Sequence, residues 1–157
     1  MQLLLKNIGQ LVTVSANGGL VKTGKDMRNI GVVENATVLI ENGMIRWVGK
    51  ASDFREKLKK DADTLDASSY VALPGFVDAH THLVFAGTRE NEFAMRAEGK
   101  TYQQIAEQGG GILSTVKATR AATKKELKKL ASKRLDSMMQ HGTTTVEIKS
   151  GYGLDEK

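Results

Sequence analysis

Hydrophobic positions change their rhythm along the chain. Up to about residue 70 the apolar residues come in short β-prone runs separated by polar turns. Gln2 to Val14 predicts a strand pair or one long broken strand. Thr37-Val38-Leu39-Ile40-Glu41 and Met44-Ile45-Arg46-Trp47-Val48 flank Asn42-Gly43, the pairing that supplies the positive φ values of a type I′ hairpin turn. Gly18-Gly19 and Lys22 to Asn29 read as a polar loop. Ser52 to Lys60 reads as a short helix capped by Ser52 or Asp53. Thr64 to Tyr70 returns to extended structure. Residues 1–70 therefore predict a small β-rich unit.

From Val71 onward, strand-like and helix-like spacing alternate. Residues 71–78 form an apolar strand, predicted to be buried. Asn91 to Gln108 is helix-prone and is broken by Gly109-Gly110-Gly111. Ile112 to Ala122 predicts another helix. Thr123 and Glu126 have capping-box spacing, and Leu127, Leu130, Ala131, Leu135, Met138 and Met139 then share one helical face. His141-Gly142 closes that helix, and Thr143 to Lys149 reads as the next strand. Strand, helical crossover and strand predict a parallel pair in an α/β fold. Two parallel strands cannot cover both of their own faces. A full (β/α)8 barrel takes about 250 residues, and residues 71–157 supply its first two strands. The sequence reaches Asp155-Glu156-Lys157 just after a strand, where a further helix is expected to begin.

Composition narrows the class. The 157 residues are 40% hydrophobic, enough for a core, and contain no cysteine, which excludes disulfides and thiolate metal sites. The apolar run after Met1 is too short for a signal peptide or a membrane span, so a cytoplasmic protein with no membrane partner is expected. The net charge of +5 comes from 23 Lys+Arg against 18 Asp+Glu. Its excess lies in lysine-rich helical patches at 55–60 and 117–134 with no aromatic residues interleaved. That pattern describes a solvated helix face, and no nucleic-acid partner is expected.

The chemistry concentrates at the end of the strand that begins at Val71. His80 and His82 are two of only three histidines, and residues i and i+2 of a strand point the same way. Two imidazoles projecting together suit one metal ion. Asp78 suits two roles, accepting the second ring N–H of a ligating histidine or making an ordinary structural hydrogen bond. His141 reads as a helix-end residue. The glycine run lacks the Lys-Ser/Thr of a phosphate loop and reads as a turn or a close backbone approach.

Leu73-Pro74-Gly75-Phe76-Val77-Asp78-Ala79-His80-Thr81-His82 resembles the PGxxDxHxH signature of the amidohydrolase superfamily. Three further segments resemble the imidazolonepropionase family within it: Phe85 to Phe93, Gly109 to Val116 and Thr143 to Gly153. The resemblance runs through essentially the whole chain, which corresponds to the N-terminal portion of those longer proteins. It implies a TIM-like (β/α)8 metal-dependent hydrolase barrel preceded by part of a small β-sandwich. It also implies one metal ion, zinc or iron, held by His80 and His82 together with a histidine and an aspartate beyond Lys157.

Arg89, in the loop after the first barrel strand, is implied as a substrate-binding residue for a propanoate tail. A surface ion pair with Glu90 or Glu92 is its ordinary alternative. Tyr152, between Gly151 and Gly153, is implied as a second substrate-binding residue, and Tyr102 is a weaker candidate equally suited to packing. Glu147 and Lys149 read as polar groups at the inner end of the barrel. The implied reaction is hydrolysis of 4-imidazolone-5-propanoate to N-formimidoyl-glutamate by a metal-activated water, in a homodimer of the longer protein. This portion supplies no further ligand and no general base, so turnover is not expected from it alone. Another cyclic amidohydrolase or deaminase of the same scaffold, or a non-catalytic interaction module, remain the alternative readings.

Overall fold

The computed structural model describes residues 1–16 and 18–154. Asp155 to Lys157, where a further helix was expected to begin, lie outside the described residues. The chain forms two compact units, Met1–Pro74 and Gly75–Lys157.

The first unit is a five-stranded sheet. Its strands are β1 (Gln2–Val12), β2 (Val32–Glu41), β3 (Met44–Lys50), β4 (Asp63–Asp66) and β5 (Val71–Ala72). β1 is one long strand with a register shift between Leu5 and Ile8, where Asn7 takes a positive φ of 56° and its amide donates to Asp66 Oδ2 at 2.9 Å. The β2–β3 hairpin turns through Asn42 and Gly43, both with φ above zero, as their sequence predicts. Ile8, Leu11, Ala36, Val38 and Ala67 make the core. The helix expected over 52–60 does not form. Only Ala51–Asp53 make a single 3-10 turn. The Lys59 amide donates to Gln2 Oε1 at 2.8 Å, and the Lys59 ammonium pairs with Glu41 at 2.5 Å. Strand side chains thus take the groups that a helix would use.

The apolar run predicted as one strand over 71–78 is two strands. Val71–Ala72 pair with β1 of the first unit, and β6 (Phe76–Thr81) belongs to the second. Pro74 has no N–H to give a ladder. Gly75 passes so close to the next strand that a Cβ there would lie 2.1 Å from Thr144 Oγ1.

The second unit continues with α1 (Glu90–Ala97), α2 (Tyr102–Glu107), α3 (Ile112–Ala121), α4 (Lys124–Gln140) and β7 (Thr143–Ile148). The single helix expected over 91–108 is split at Gly99, and a Thr101–Gln104 capping box opens the second piece. β6 and β7 pair in parallel across the helical crossover. The expectation of a buried strand is not met. Phe76 and Val77 are 54% and 67% exposed, because two strands leave much of their own faces open.

α4 carries the device that fixes the end of β6. Leu127, Leu130, Ala131 and Met138 are half-buried on one face, and Arg134 lies among them. Its Nη1 donates to the carbonyls of Leu83 at 2.8 Å and Phe85 at 2.9 Å, and its guanidinium carbon sits 3.6 Å from the Phe85 ring centroid. Burial pulls this guanidinium below its ordinary pKa, yet an arginine stays charged. Arg134→Met keeps the apolar stem and removes both donors, leaving two carbonyls unpaired. Hydrogen exchange of the amides at 83–86 is expected to accelerate roughly tenfold or more, with those of β1 and β2 unchanged.

At the start of α4, Thr123 Oγ1 accepts from the Glu126 amide at 3.2 Å, and Glu126 Oε2 accepts from the Thr123 amide at 2.7 Å. These bonds hold the Glu126 carboxyl below its ordinary 4.5. A carboxyl depressed in the folded state stabilises fully above that value, and its contribution fades as pH falls through the lowered one. Glu126→Gln is therefore expected to lose less stability on acidification from about pH 6 to about pH 3 than the wild type, read by urea unfolding at each pH.

Candidate active site

β6 ends at Thr81, whose carbonyl accepts the last inter-strand bond, from the Lys149 amide at 2.9 Å. The residues that follow each strand therefore emerge side by side. His80 and His82 lie on one side, with ring centroids 5.4 Å apart, and the Tyr152 ring lies 5.4 Å from His82. Phe85 closes the cluster at 5.5 Å from Tyr152. The phenol is brought this near because Gly151 has no side chain. A Cβ at that position would stand 2.5 Å from His82 Nδ1.

The two imidazoles fit a metal ion. Neither ring makes a hydrogen bond to protein among the described residues. His82 Nδ1 is sealed without a partner, which leaves Nε2 as that ring's open donor. A metal–nitrogen bond of about 2.0–2.1 Å puts each ring centroid roughly 3.2 Å from the ion, so two tetrahedral imidazoles stand roughly 5 Å apart, close to the spacing seen. Among the described residues no group of three or more His, Cys, Asp or Glu is gathered to hold a metal ion. Of the two roles open to Asp78, the structural one is present, since its Oδ1 accepts from the His80 backbone amide at 3.1 Å.

Arg89 and Tyr152, chosen from separate segments of sequence, line one groove. It holds about 280 Å³ and is completed by Phe85, Gly87, Thr88 and Thr115. Arg89 immediately precedes α1, and its Nε stands 3.9 Å from Glu92 Oε1. The ordinary ion pair is thus present at long range. Glu92 is only 8% exposed, and the same carboxylate oxygen accepts from the Gly111 amide at 2.7 Å. It ties the glycine run at the start of α3 to α1, next to the Arg89 guanidinium. Tyr102 is not brought to this groove. It borders a separate cavity of about 360 Å³ beside Gly109 to Gly111, so the glycine run does serve as a turn. Glu147 and Lys149 pair with each other. His141 Nδ1 stands 2.7 Å from the Ser137 carbonyl at the end of α4, the helix-end place expected of it.

Three residues of the site were missed in the sequence. Arg134 holds the segment after β6. Arg120, on α3, holds the one after β7, donating to the carbonyls of Gly153 at 2.8 Å and Leu154 at 2.6 Å. Glu92 is the third. A signal existed for Arg134, because a guanidinium in an apolar helical stripe at 127, 130, 134 and 138 is out of place unless something receives it. Arg120 and Glu92 had no comparable signal, since both fall where a surface charge is ordinary.

No family model matches the chain. The chain is 50% identical over 153 residues to imidazolonepropionase of Clostridium tetani, covering 97% of this chain and 36% of that protein. It therefore spans about a third of the length of the curated relatives it matches. Among solved structures, Escherichia coli guanine deaminase superposes with a TM-score of 0.57 at 15% identity, over 94% of this chain and 29% of that one. Atrazine chlorohydrolase from Arthrobacter aurescens TC1, complexed with zinc, superposes with a TM-score of 0.53 at 18% identity, over 92% of this chain and 28% of that one. The structural likeness shows a shared mixed α/β fold, and the sequence likeness shows that the chain is homologous to the N-terminal third of imidazolonepropionases.

Proposed function

We propose that this chain is the metal-bearing and carboxylate-binding portion of an imidazolonepropionase, which hydrolyses the ring of 4-imidazolone-5-propanoate to N-formimidoyl-glutamate in histidine degradation. The observation that carries the reading is the placement of two unpartnered imidazoles, His80 and His82, beside a groove that contains both Arg89 and Tyr152. The names of the homologues and the zinc in one fold relative support it.

His80 and His82 would supply two imidazole ligands to one zinc or iron ion. When bound, such an ion polarises an amide carbonyl and acidifies a coordinated water, the two things that opening a cyclic amide requires. Arg89 receives the propanoate with its planar guanidinium, and a fixed tail orients the ring toward the histidines. Tyr152 touches His82 on one side and the groove on the other, so its hydroxyl is placed to donate to the ring oxygen or the carboxylate. The remaining ligands and the general base belong to the longer protein, as does the turnover. That protein is read as a cytoplasmic homodimer. Among the described residues no helix is long and apolar enough to cross a membrane.

The test uses the full-length protein. His80→Ala and His82→Ala are each expected to lose most of the bound metal, read by elemental analysis, and to lower kcat/KM by about a thousandfold or more. Arg89→Lys keeps the charge and loses the planar fork, so KM is expected to rise roughly tenfold or more, with a smaller change in kcat. A double His80→Ala, His82→Ala protein with unchanged metal content and rate contradicts the reading.

A further inference from the structure

Two threonines line the groove beside the known candidates, and the Thr88 side chain bonds to the Glu90 carboxylate, which leaves Thr115 to be accounted for. Thr115 is 5% exposed and lines the groove with Arg89 and Tyr152. Its hydroxyl has no hydrogen-bond partner among the described residues. A buried threonine within a helix ordinarily returns its hydroxyl to a carbonyl one turn back. The next threonine on α3 shows how such a group is satisfied, for Thr119 Oγ1 accepts from the Ala86 amide at 3.1 Å. Unlike His82 Nδ1, the Thr115 hydroxyl is not fully sealed, and its residue lines the groove. A hydroxyl so little exposed and without a protein partner is available to an acceptor atom of a ligand in the groove.

The wall that carries Thr115 is fixed in place. Gly87 approaches α3 so closely that a Cβ there would lie 2.8 Å from Ala118 Cβ. The Glu92–Gly111 bond ties the first turn of α3 to the helix that follows Arg89. A guanidinium and a neutral hydroxyl on residues that line one groove form a donor set for one small anion. An arginine takes two carboxylate oxygens side by side, and a hydroxyl adds a third donor to a lone pair the fork leaves unused.

We propose that Thr115 is a substrate-binding residue that donates its hydroxyl hydrogen to the carboxylate held by Arg89. The inference rests on the reading of the groove as the propanoate site, and it adds the contact that sets tail length and charge. The full-length, metal-loaded protein is tested with imidazole-4-propanoate as a competitive inhibitor and with imidazole, which lacks the tail, as the control. Thr115→Val removes the hydroxyl at nearly constant volume, and Thr115→Ser retains it.

Thr115→Val is expected to weaken inhibition by imidazole-4-propanoate about tenfold or more and to raise KM by a like factor, with a smaller fall in kcat. Thr115→Ser is expected to restore both, and imidazole should inhibit all the forms alike. Thr115→Ala repeats the deletion should the valine variant not fold. Inhibition by imidazole-4-propanoate that is unchanged in the folded deletion variant overturns the inference and leaves the reading of the groove intact. Equal weakening toward imidazole overturns the carboxylate contact. A wild-type protein that turns over the imidazolone but is not inhibited by imidazole-4-propanoate overturns it as well. Absence of turnover and of inhibition in the wild type overturns the reading of the groove, and this inference with it.

Discussion

The parallel pairing of β6 with β7 is the constraint on which the candidate site depends. Parallel strands run their ends out on the same side, so the last rung, from the Lys149 amide to the Thr81 carbonyl, fixes where both outgoing segments start. His82 is the first residue past one strand, and Gly151 and Tyr152 follow the other a few residues on. Their crowding explains the glycine, because any larger residue at 151 would strike the His82 ring. It also explains why an aromatic cluster of Phe85, Tyr152 and His82 forms with little else around it.

Strand pairing alone leaves the outgoing segments free to move, and the helices of the crossover remove that freedom. Arg134 and Arg120 each place two hydrogen bonds on backbone carbonyls, one on the segment after β6 and one on the segment after β7. A guanidinium suits this task because its donors lie in one rigid plane and cannot be lost by deprotonation. Arg89 differs in kind. Its closest acidic partner stands at 3.9 Å, and it borders the groove. The two pinning arginines and Arg89 are thus told apart by whether backbone carbonyls accept their hydrogen bonds. Elsewhere in the second unit, apolar residues remain uncovered at Phe76, Val77, Ile148 and Met139, as expected of parallel strands that need layers on both faces.

Much of this was legible in the chain. The Asn42-Gly43 hairpin, the Thr123–Glu126 capping box, the Gly142 helix stop and the parallel pair all follow from local rules, and the structure follows them. His80, His82, Arg89 and Tyr152 were legible as candidates through motif and resemblance. What failed did so for tertiary reasons. The segment 52–60 has helical spacing, but Gln2 and Glu41 offer its backbone and lysine better partners. The run from 71 to 78 looks continuous in hydropathy, while Pro74 and the tight passage of Gly75 beside Thr144 divide it between two units. Thr115 could not be chosen in advance, since nothing in a helical sequence tells which threonine will line the groove.

X-ray absorption at the metal edge of the full-length protein tests the central claim most directly, because it counts imidazoles around the ion without reference to activity. The account predicts imidazole scattering with metal–nitrogen distances of about 2.0–2.1 Å for zinc in the wild type, and one ring fewer around the residual metal that His80→Ala or His82→Ala each retains. A metal shell that keeps its imidazole count in both variants would contradict it.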